Sequence, residues 1–185
     1  KLEAAVGRIL ISEPFLSDPN FARSVVLLTE HNDQGTMGFV LNHVVELSLA
    51  DVVQAEDLPD IALIKGGPVE LNTLHFIHTI GEVIPNAIQV KTGLWWGGDF
   101  EKIVDVISDD PKRLSECKFF IGYSGWAPGQ LKDELENDAW VVSSISSKEA
   151  VSPILESTVL WKNAMRRMGG EFEILSNSPL DPQWN

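Results

Sequence analysis

Short apolar runs separated by glycine, proline and asparagine dominate the first half of the chain. Runs of this kind, rich in β-branched side chains, predict β-strands. They cover residues 9–11, 24–29, 37–41, 61–64, 73–79 and 87–91, and similar runs follow at 119–121 and 140–142. The turn at residues 31–35 joins the second run to the third, so we expect an antiparallel hairpin there.

Helical patterns are fewer and come at irregular intervals. Each predicted helix begins beside a residue that suits a first turn, either a hydrogen-bonding side chain or a proline. These residues are Ser48, Asp99, Pro128 and Ser146, and a further amphipathic helix covers residues 157–168. Because helices do not follow every strand, the pattern favours an α+β fold with a mostly antiparallel or mixed sheet.

The composition is that of a globular protein. The 185 residues are 44% hydrophobic and 22% charged, and we expect a single domain, residues 1–185. No apolar run reaches the roughly 18 residues of a membrane span. Cys117 is the one cysteine, which excludes an internal disulfide and fits a reducing cytoplasm.

The net charge narrows the class of partner. The formal charge is -13 at pH 7. A field of this sign repels phosphate backbones and anionic membranes. We therefore expect no membrane and no direct nucleic-acid contact, and a protein partner or a small polar ligand instead.

The most unusual segment is GYSGWAPGQL at residues 122–131. Glycine is costly to order, and it is favoured where the backbone adopts positive φ or approaches another group closely. We expect a loop between a strand and a helix. This loop is either a demanding piece of architecture or the floor of a site.

Trp126, Gln130 and Glu134 are the candidate ligand-binding residues of this segment. In a helix that starts near Pro128, Gln130 and Glu134 lie one turn apart on one face. An aromatic wall, an amide, a carboxylate and the unpaired N–H groups of a helix start suit a small polar ligand. The alternative is that Gln130 caps a neighbouring strand and Trp126 is part of the core.

Two polar residues that flank the predicted hairpin are further candidates for the same site. His31 precedes the hairpin turn, and Asn42 follows the second strand. Both join the pocket only if the hairpin packs beside residues 122–131, which the sequence leaves open.

Other chemistry-bearing residues suit structural roles better. His75 and His78 lie three apart in a predicted strand, hence on opposite faces, and are poor co-ligands for a metal. Cys117 has no oriented base in its sequence neighbourhood, and Ser124 lacks the spacing of the hydrolase elbow Gly-x-Ser-x-Gly. Neither a P-loop nor a dinucleotide-binding glycine motif is present. We therefore expect no metal, no cofactor and no established catalytic set.

Five sequence blocks occur in one order: GRILISEP (7–14), DPNFARSV (18–25), His31 with GTMGFVLN (35–42), GGPV (66–69) and GYSGWAPGQL (122–131). Together they resemble the bacterial AlgH/YqgE-type family, from about residue 7 to residue 168. The resemblance implies an α+β fold whose sheet is curled into a pseudo-barrel with helices packed outside. It also implies a cytoplasmic protein. Val44 stands where the family usually has a proline, so we expect a looser turn after Asn42.

Three functional hypotheses follow. The first is a non-catalytic regulatory or binding protein that acts through a protein partner or a small polar ligand. The second is an enzyme of unrecognised class with its site around residues 122–130. The third is a transcriptional regulator, because some members of the family carry that name, although no DNA-binding motif supports it here.

Overall fold

The computed structural model describes residues 1–54, 58–153 and 157–179. Its strands are β1 (Ile9–Ser12), β2 (Val25–Asn32), β3 (Gly35–Val40), β4 (Val44–Ser48), β5 (Ala62–Lys65), β6 (Val69–His78), β7 (Ile88–Lys91), β8 (Leu94–Trp96), β9 (Cys117–Trp126) and β10 (Trp140–Ser143). Its α-helices are α1 (Leu49–Val52), α2 (Phe100–Asp109), α3 (Gln130–Glu136), α4 (Ser147–Val151), α5 (Ser157–Met168) and α6 (Gly170–Leu175). A 3-10 helix covers Pro111–Glu116.

One large, mostly antiparallel sheet organises the fold. Its strand order is β10-β1-β2-β3-β9-β6-β8-β7, with β5 paired to β9 and β4 paired to β5. The pairing of β5 with β9 is parallel, and the other described pairings are antiparallel. The α+β class and the mixed sheet are therefore confirmed, as is the hairpin of β2 and β3.

The sheet is not closed into a barrel. The end of edge strand β7 meets the segment that follows edge strand β10 through isolated bonds: Lys91 Nζ donates to Ile145 O, and Ser147 Oγ donates to Thr92 O at 2.8 Å. Among the described strands, no ladder of backbone hydrogen bonds joins β7 to β10. The pseudo-barrel implied by the family resemblance is therefore not confirmed.

Helices pack on the sheet and, within the described part of the chain, bury three hydrophobic clusters. The central core lies between the sheet and α5, where Trp161 is fully buried and its Nε1 donates to Ser12 O at 2.9 Å. A second cluster joins α2 to β5, β6 and β9, and a third joins α3 to β1, β2, β3 and β10. These contacts tie α3 to the strands that carry the candidate site.

The helix starts follow the predicted caps with one exception. Ser48 and Asp51 form a capping box at α1, Asp99 accepts from Lys102 N at α2, and Ser146 accepts from Glu149 N at α4. Pro128 does not enter its helix, because α3 begins at Gln130 after Gly129, whose φ is +82°. The turn before α3 needs this left-handed glycine, so the helix starts two residues after the proline.

The predicted loop at residues 122–130 is wrong over its first half, because β9 continues through Gly122 to Trp126. The backbone of β9 changes its hydrogen-bonding partner strand along its length. Residues 119–121 pair with β5, and residues 124–126 pair with β3. Gly122, with φ of +67°, marks the point of exchange. The local sequence signals a turn there, but neighbouring strands supply hydrogen bonds that keep the segment in the sheet.

Candidate functional site

Glu134 holds the junction of β9 and α3 through three hydrogen bonds. Its Oε1 accepts from Trp126 Nε1 at 3.1 Å and from Trp140 Nε1 at 2.9 Å. Its Oε2 accepts from Gln130 Nε2 at 2.9 Å, and Gln130 Oε1 in turn accepts from Ala127 N at 3.0 Å. The structure thus brings together the three candidate residues of this segment, and their polar groups bind one another.

Trp126 is part of the third hydrophobic cluster as well as a hydrogen-bond donor. Its side chain is 5% exposed, and its ring lies 6.0 Å from Trp140 and 6.1 Å from Phe21, centroid to centroid. The sequence analysis did not include Trp140. This residue lies on β10, which pairs with β1 and is separated from β9 in the sheet by β1, β2 and β3. No local signal in the sequence links the Trp140 indole to Glu134.

The hairpin of β2 and β3 does pack beside this junction, and it brings His31 close. Thr36 pairs with Trp126 across β3 and β9, and His31 Nδ1 lies 2.7 Å from Thr36 Oγ1. A Cβ on Gly35 would lie 2.6 Å from Trp126 O, so the hairpin end contacts β9 closely.

Asn42 lies past the other end of β3 and does not join the cluster. It is 1% exposed. Its Oδ1 accepts from Val25 N at 3.0 Å, and its Nδ2 donates to Arg23 O at 2.9 Å. The amide thus connects the start of β2 to the end of β3, which suits an architectural role.

An open groove of about 420 Å³ lies beside the junction, and we call it the hairpin groove. Polar groups of Glu30, Asn32 and Thr36 line one side, and Tyr123 and Trp126 line the other. Partial burial, followed by the proximity of Glu70, raises the pKa of Tyr123. A phenol, whose ordinary pKa is about 10, is a hydrogen-bond donor at neutral pH. Gln130 and Glu134 do not line this groove; they support Trp126 from behind.

The histidines of β6 lie on opposite faces of the sheet. His75 Nε2 lies 2.9 Å from Thr73 Oγ1, and its ring lies 5.1 Å from Phe39 in the central core. His78 is buried on the other face, with Nε2 2.8 Å from Gly97 O, and burial lowers its pKa. Within residues 1–54, 58–153 and 157–179, no group of three or more His, Cys, Asp or Glu is placed to hold a metal ion.

The candidate nucleophiles are buried. Burial raises the pKa of the Cys117 thiol to about 12. Ser124 is fully buried, and its hydroxyl donates to Gly66 O at 2.9 Å. A nucleophile needs access and an oriented base, so these two side chains fit structural roles.

The sequence matches the AlgH-like family (DUF179) over residues 9–173. The chain belongs to the AlgH-like family. The UPF0301 protein of Cytophaga hutchinsonii is 42% identical to this AlgH-like chain over 180 residues, covering 97% of this chain and 98% of that protein. The UPF0301 protein of Chlorobaculum parvum is 40% identical over 179 residues, covering 97% and 95%.

Solved structures share the fold. The solution structure of the AlgH protein from Pseudomonas aeruginosa has a TM-score of 0.71 at 27% identity and covers 97% of this chain and 98% of its own. A crystal structure from Corynebacterium diphtheriae has a TM-score of 0.79 at 24% identity, covering 96% and 94%. In the described part of this AlgH-like chain, no helix has the length and apolarity needed to cross a membrane.

Proposed function

We propose that this AlgH-like protein is a non-catalytic binding protein that recognises a basic segment of a protein partner in the hairpin groove. The observation that carries the proposal is the set of hydrogen bonds that Glu134 accepts. Both of its carboxylate oxygens accept hydrogen bonds from neighbouring side chains. A carboxylate whose oxygens bind three neighbouring side chains supports Trp126, a wall of the groove, and this suits a structural role.

Charge supports a basic partner. The chain carries 27 acidic and 14 basic residues, and Glu30 lines the groove. Glu70 lies beside Tyr123 on the same surface, and Asp33 lies in the hairpin turn. Complementary charge raises the rate of encounter and selects against partners of the same sign. A small polar cation is the alternative occupant of the groove, whereas direct contact with DNA is opposed by the same charge.

The location and domain organisation are part of this proposal. We propose a cytoplasmic protein, which the single cysteine supports. We also propose one domain over residues 1–185. The pairing of β1 with β10 and the bond from Trp161 to Ser12 support it, because they connect distant parts of the chain.

The test uses a defined probe. A peptide of alternating lysine and glycine is titrated into the full chain, and backbone amide shifts are followed by NMR, with a glutamate–glycine peptide as the charge-reversed probe. The proposal expects saturable shifts at residues 30–37 and 123–127 for the lysine peptide. Shifts spread over the acidic surface, or equal shifts with both peptides, would refute it.

Two matched double variants distinguish binding in the hairpin groove from general electrostatic attraction to the acidic protein. Replacing Glu30 and Glu70 by glutamine is expected to weaken binding of the lysine peptide by about fivefold, since each exposed charge pair contributes up to about 1 kcal/mol. Glu101→Gln with Glu136→Gln removes the same charge from exposed positions on α2 and α3. If this second pair weakens binding equally, attraction is non-specific and the groove has no role.

A further inference from the structure

Lys118 is a buried lysine in the centre of the sheet. It lies on β9 between Cys117 and Phe119 and is 5% exposed. Strand alternation directs Cys117 and Phe119 to the α2 side and Lys118, like Phe120, to the side of the central core. Lysine is almost never fully buried unless it is paired, so this position calls for an explanation.

Within the described residues, the Lys118 ammonium has little compensation. Its Nζ donates to Leu41 O at 3.4 Å, the long limit of a hydrogen bond, although an ammonium carries three donors. Burial lowers its pKa to about 7, and the charge of Glu149 on α4 opposes that shift only in part. Glu149 itself binds Arg167. Lys118 is thus a buried amine whose charged form is poorly compensated by the described residues.

Lys118 lines a second groove, distinct from the hairpin groove, of about 400 Å³. We call it the Lys118 groove. Its walls are mainly apolar and come from β4, β5, the 3-10 helix, β9 and the end of α4, with Val44, Ile64, Phe119 and Val151 among them. Among the described residues, the charged side chains that line this groove are Lys112, Lys118 and Asp60, and Glu149 acts on Lys118 from α4. The unusual feature of this groove is a lysine that is almost fully buried beside apolar walls.

We propose that the Lys118 groove binds a small organic acid, with the carboxylate at the ammonium of Lys118 and an apolar body against Val44, Ile64 and Val151. The site goes beyond the proposed partner surface and is independent of it. Ligand pockets of this volume commonly combine apolar walls with a few polar groups that fix orientation. A carboxylate supplies the charge-assisted hydrogen bonds that a buried ammonium lacks. The apolar walls favour an aliphatic chain over a small inorganic anion.

Binding is coupled to the protonation of Lys118. A bound carboxylate favours the charged amine and raises its pKa. Affinity is therefore highest below about pH 7 and falls by up to about tenfold per pH unit above it. Among the described residues, the other ionisable groups at the site are Glu149, Asp60, Lys112 and Cys117, and Cys117 keeps its proton in this range because its pKa is about 12.

Isothermal titration of the full chain with octanoate tests the proposal, with octanol as the uncharged probe of the same length. We expect saturable binding of octanoate, at least about tenfold tighter than octanol, because a charge-assisted bond contributes about 1.5–3 kcal/mol. Lys118→Met retains an unbranched side chain of similar length and is expected to lose the preference. Lys132→Met, at an exposed position on α3, is the control and should bind like the wild type.

Each alternative result overturns the proposal. Equal affinity for octanoate and octanol would mean an apolar cavity only. Absence of octanoate binding, or unchanged binding in Lys118→Met, would exclude Lys118 as the anion site. If Lys118→Met does not fold, wild-type titrations at about pH 6 and about pH 9 decide, because the proposal requires weaker octanoate binding at the higher pH.

Discussion

Gly122 and Gly67 pack backbone against backbone where β9 exchanges one neighbouring strand for another. A Cβ on Gly122 would lie 2.6 Å from Gly67 O, and a Cβ on Gly67 would lie 2.2 Å from the Tyr123 carbonyl. Gly66 N donates to Ile121 O at 2.9 Å at the same crossing. The glycine-containing segments 66–69 and 122–131 therefore contact each other. Their glycines let the two segments pass at a distance that side chains would prevent.

Gly122→Ala is expected to destabilise the protein by about 2–4 kcal/mol, because alanine at φ of +67° is strained and its methyl group meets Gly67 O. Urea unfolding followed by tryptophan fluorescence measures the change. Gly125→Ala is the matched control in the same strand. The nearest atom to its Cβ would be 3.6 Å away, and we expect a loss of no more than about 1 kcal/mol. Equal losses in both variants would show that the crossing is not the sensitive feature.

Glu134→Ala is expected to cost about 2–3 kcal/mol of unfolding free energy, because it leaves the Trp126 and Trp140 indole N–H groups without their acceptor. Glu134→Gln retains an acceptor oxygen and should cost about 1 kcal/mol. Thermal and urea unfolding give both values. Glu136→Ala, at an exposed position on the same helix, should change stability by no more than about 0.5 kcal/mol. A loss in Glu136→Ala equal to that in Glu134→Ala would attribute the effect to the helix rather than to the indole acceptor.

Stability should rise with pH between about 7 and about 10 because of Lys118. Burial lowers the pKa of Lys118 to about 7 in the folded protein. The unfolded lysine keeps its proton up to its ordinary pKa of about 10.4, so in this window the unfolded state binds more protons. The slope is at most about 1.4 kcal/mol per pH unit. Below about pH 7 the cost of burying the charge is fully present, and it is relieved as the pH rises.

The measurement is the difference in unfolding free energy between wild type and Lys118→Met across this pH range. Other titrating groups largely cancel in that difference. We expect Lys118→Met to be the more stable protein near pH 7 and to lose this advantage towards pH 10. Lys132→Met serves as the exposed control. A difference that does not vary with pH would mean that the Lys118 amine is solvated or paired in solution.

Cys117 is expected to react slowly with Ellman's reagent in the native protein at about pH 8, because burial raises the pKa of its thiol to about 12. In guanidinium chloride the same thiol should react at the rate of an ordinary cysteine. The native rate should also track global unfolding, so Gly122→Ala should raise it. Rapid labelling of the native protein would instead indicate an accessible thiolate and would make Cys117 a candidate nucleophile.

Much of the secondary structure could be predicted from local signals. The cap residues Ser48, Asp99 and Ser146 mark helix starts because their side chains bind backbone N–H groups only two or three residues away. The β2–β3 hairpin could be predicted for the same reason, since its strands are neighbours along the chain. The helix predicted to start near Pro128 begins two residues later, at Gln130, because the left-handed Gly129 precedes it.

Part of the candidate site could also be predicted. Gln130 and Glu134 are one helical turn apart, so their contact follows from local periodicity. Trp140 could not be assigned to them, because its position depends on the pairing of β10 with β1. Asn42 flanks the hairpin in the sequence, as His31 does, but the length of β3 places the two residues at opposite ends of the hairpin.

Residue order alone was sufficient for the α+β class, the family and most strand and helix positions, because these depend on short-range patterns of burial, capping and motif order. The patterns did not predict β4, β8, α6 or the continuation of β9 to Trp126. The tertiary structure decided the crossing of Gly67 with Gly122, the binding of Trp140 to Glu134 and the burial of Lys118. Each of these depends on which distant strands pair and in which register. A β-strand pattern shows that a segment will pair but does not name its partner, so these relationships become visible only when the sheet is assembled.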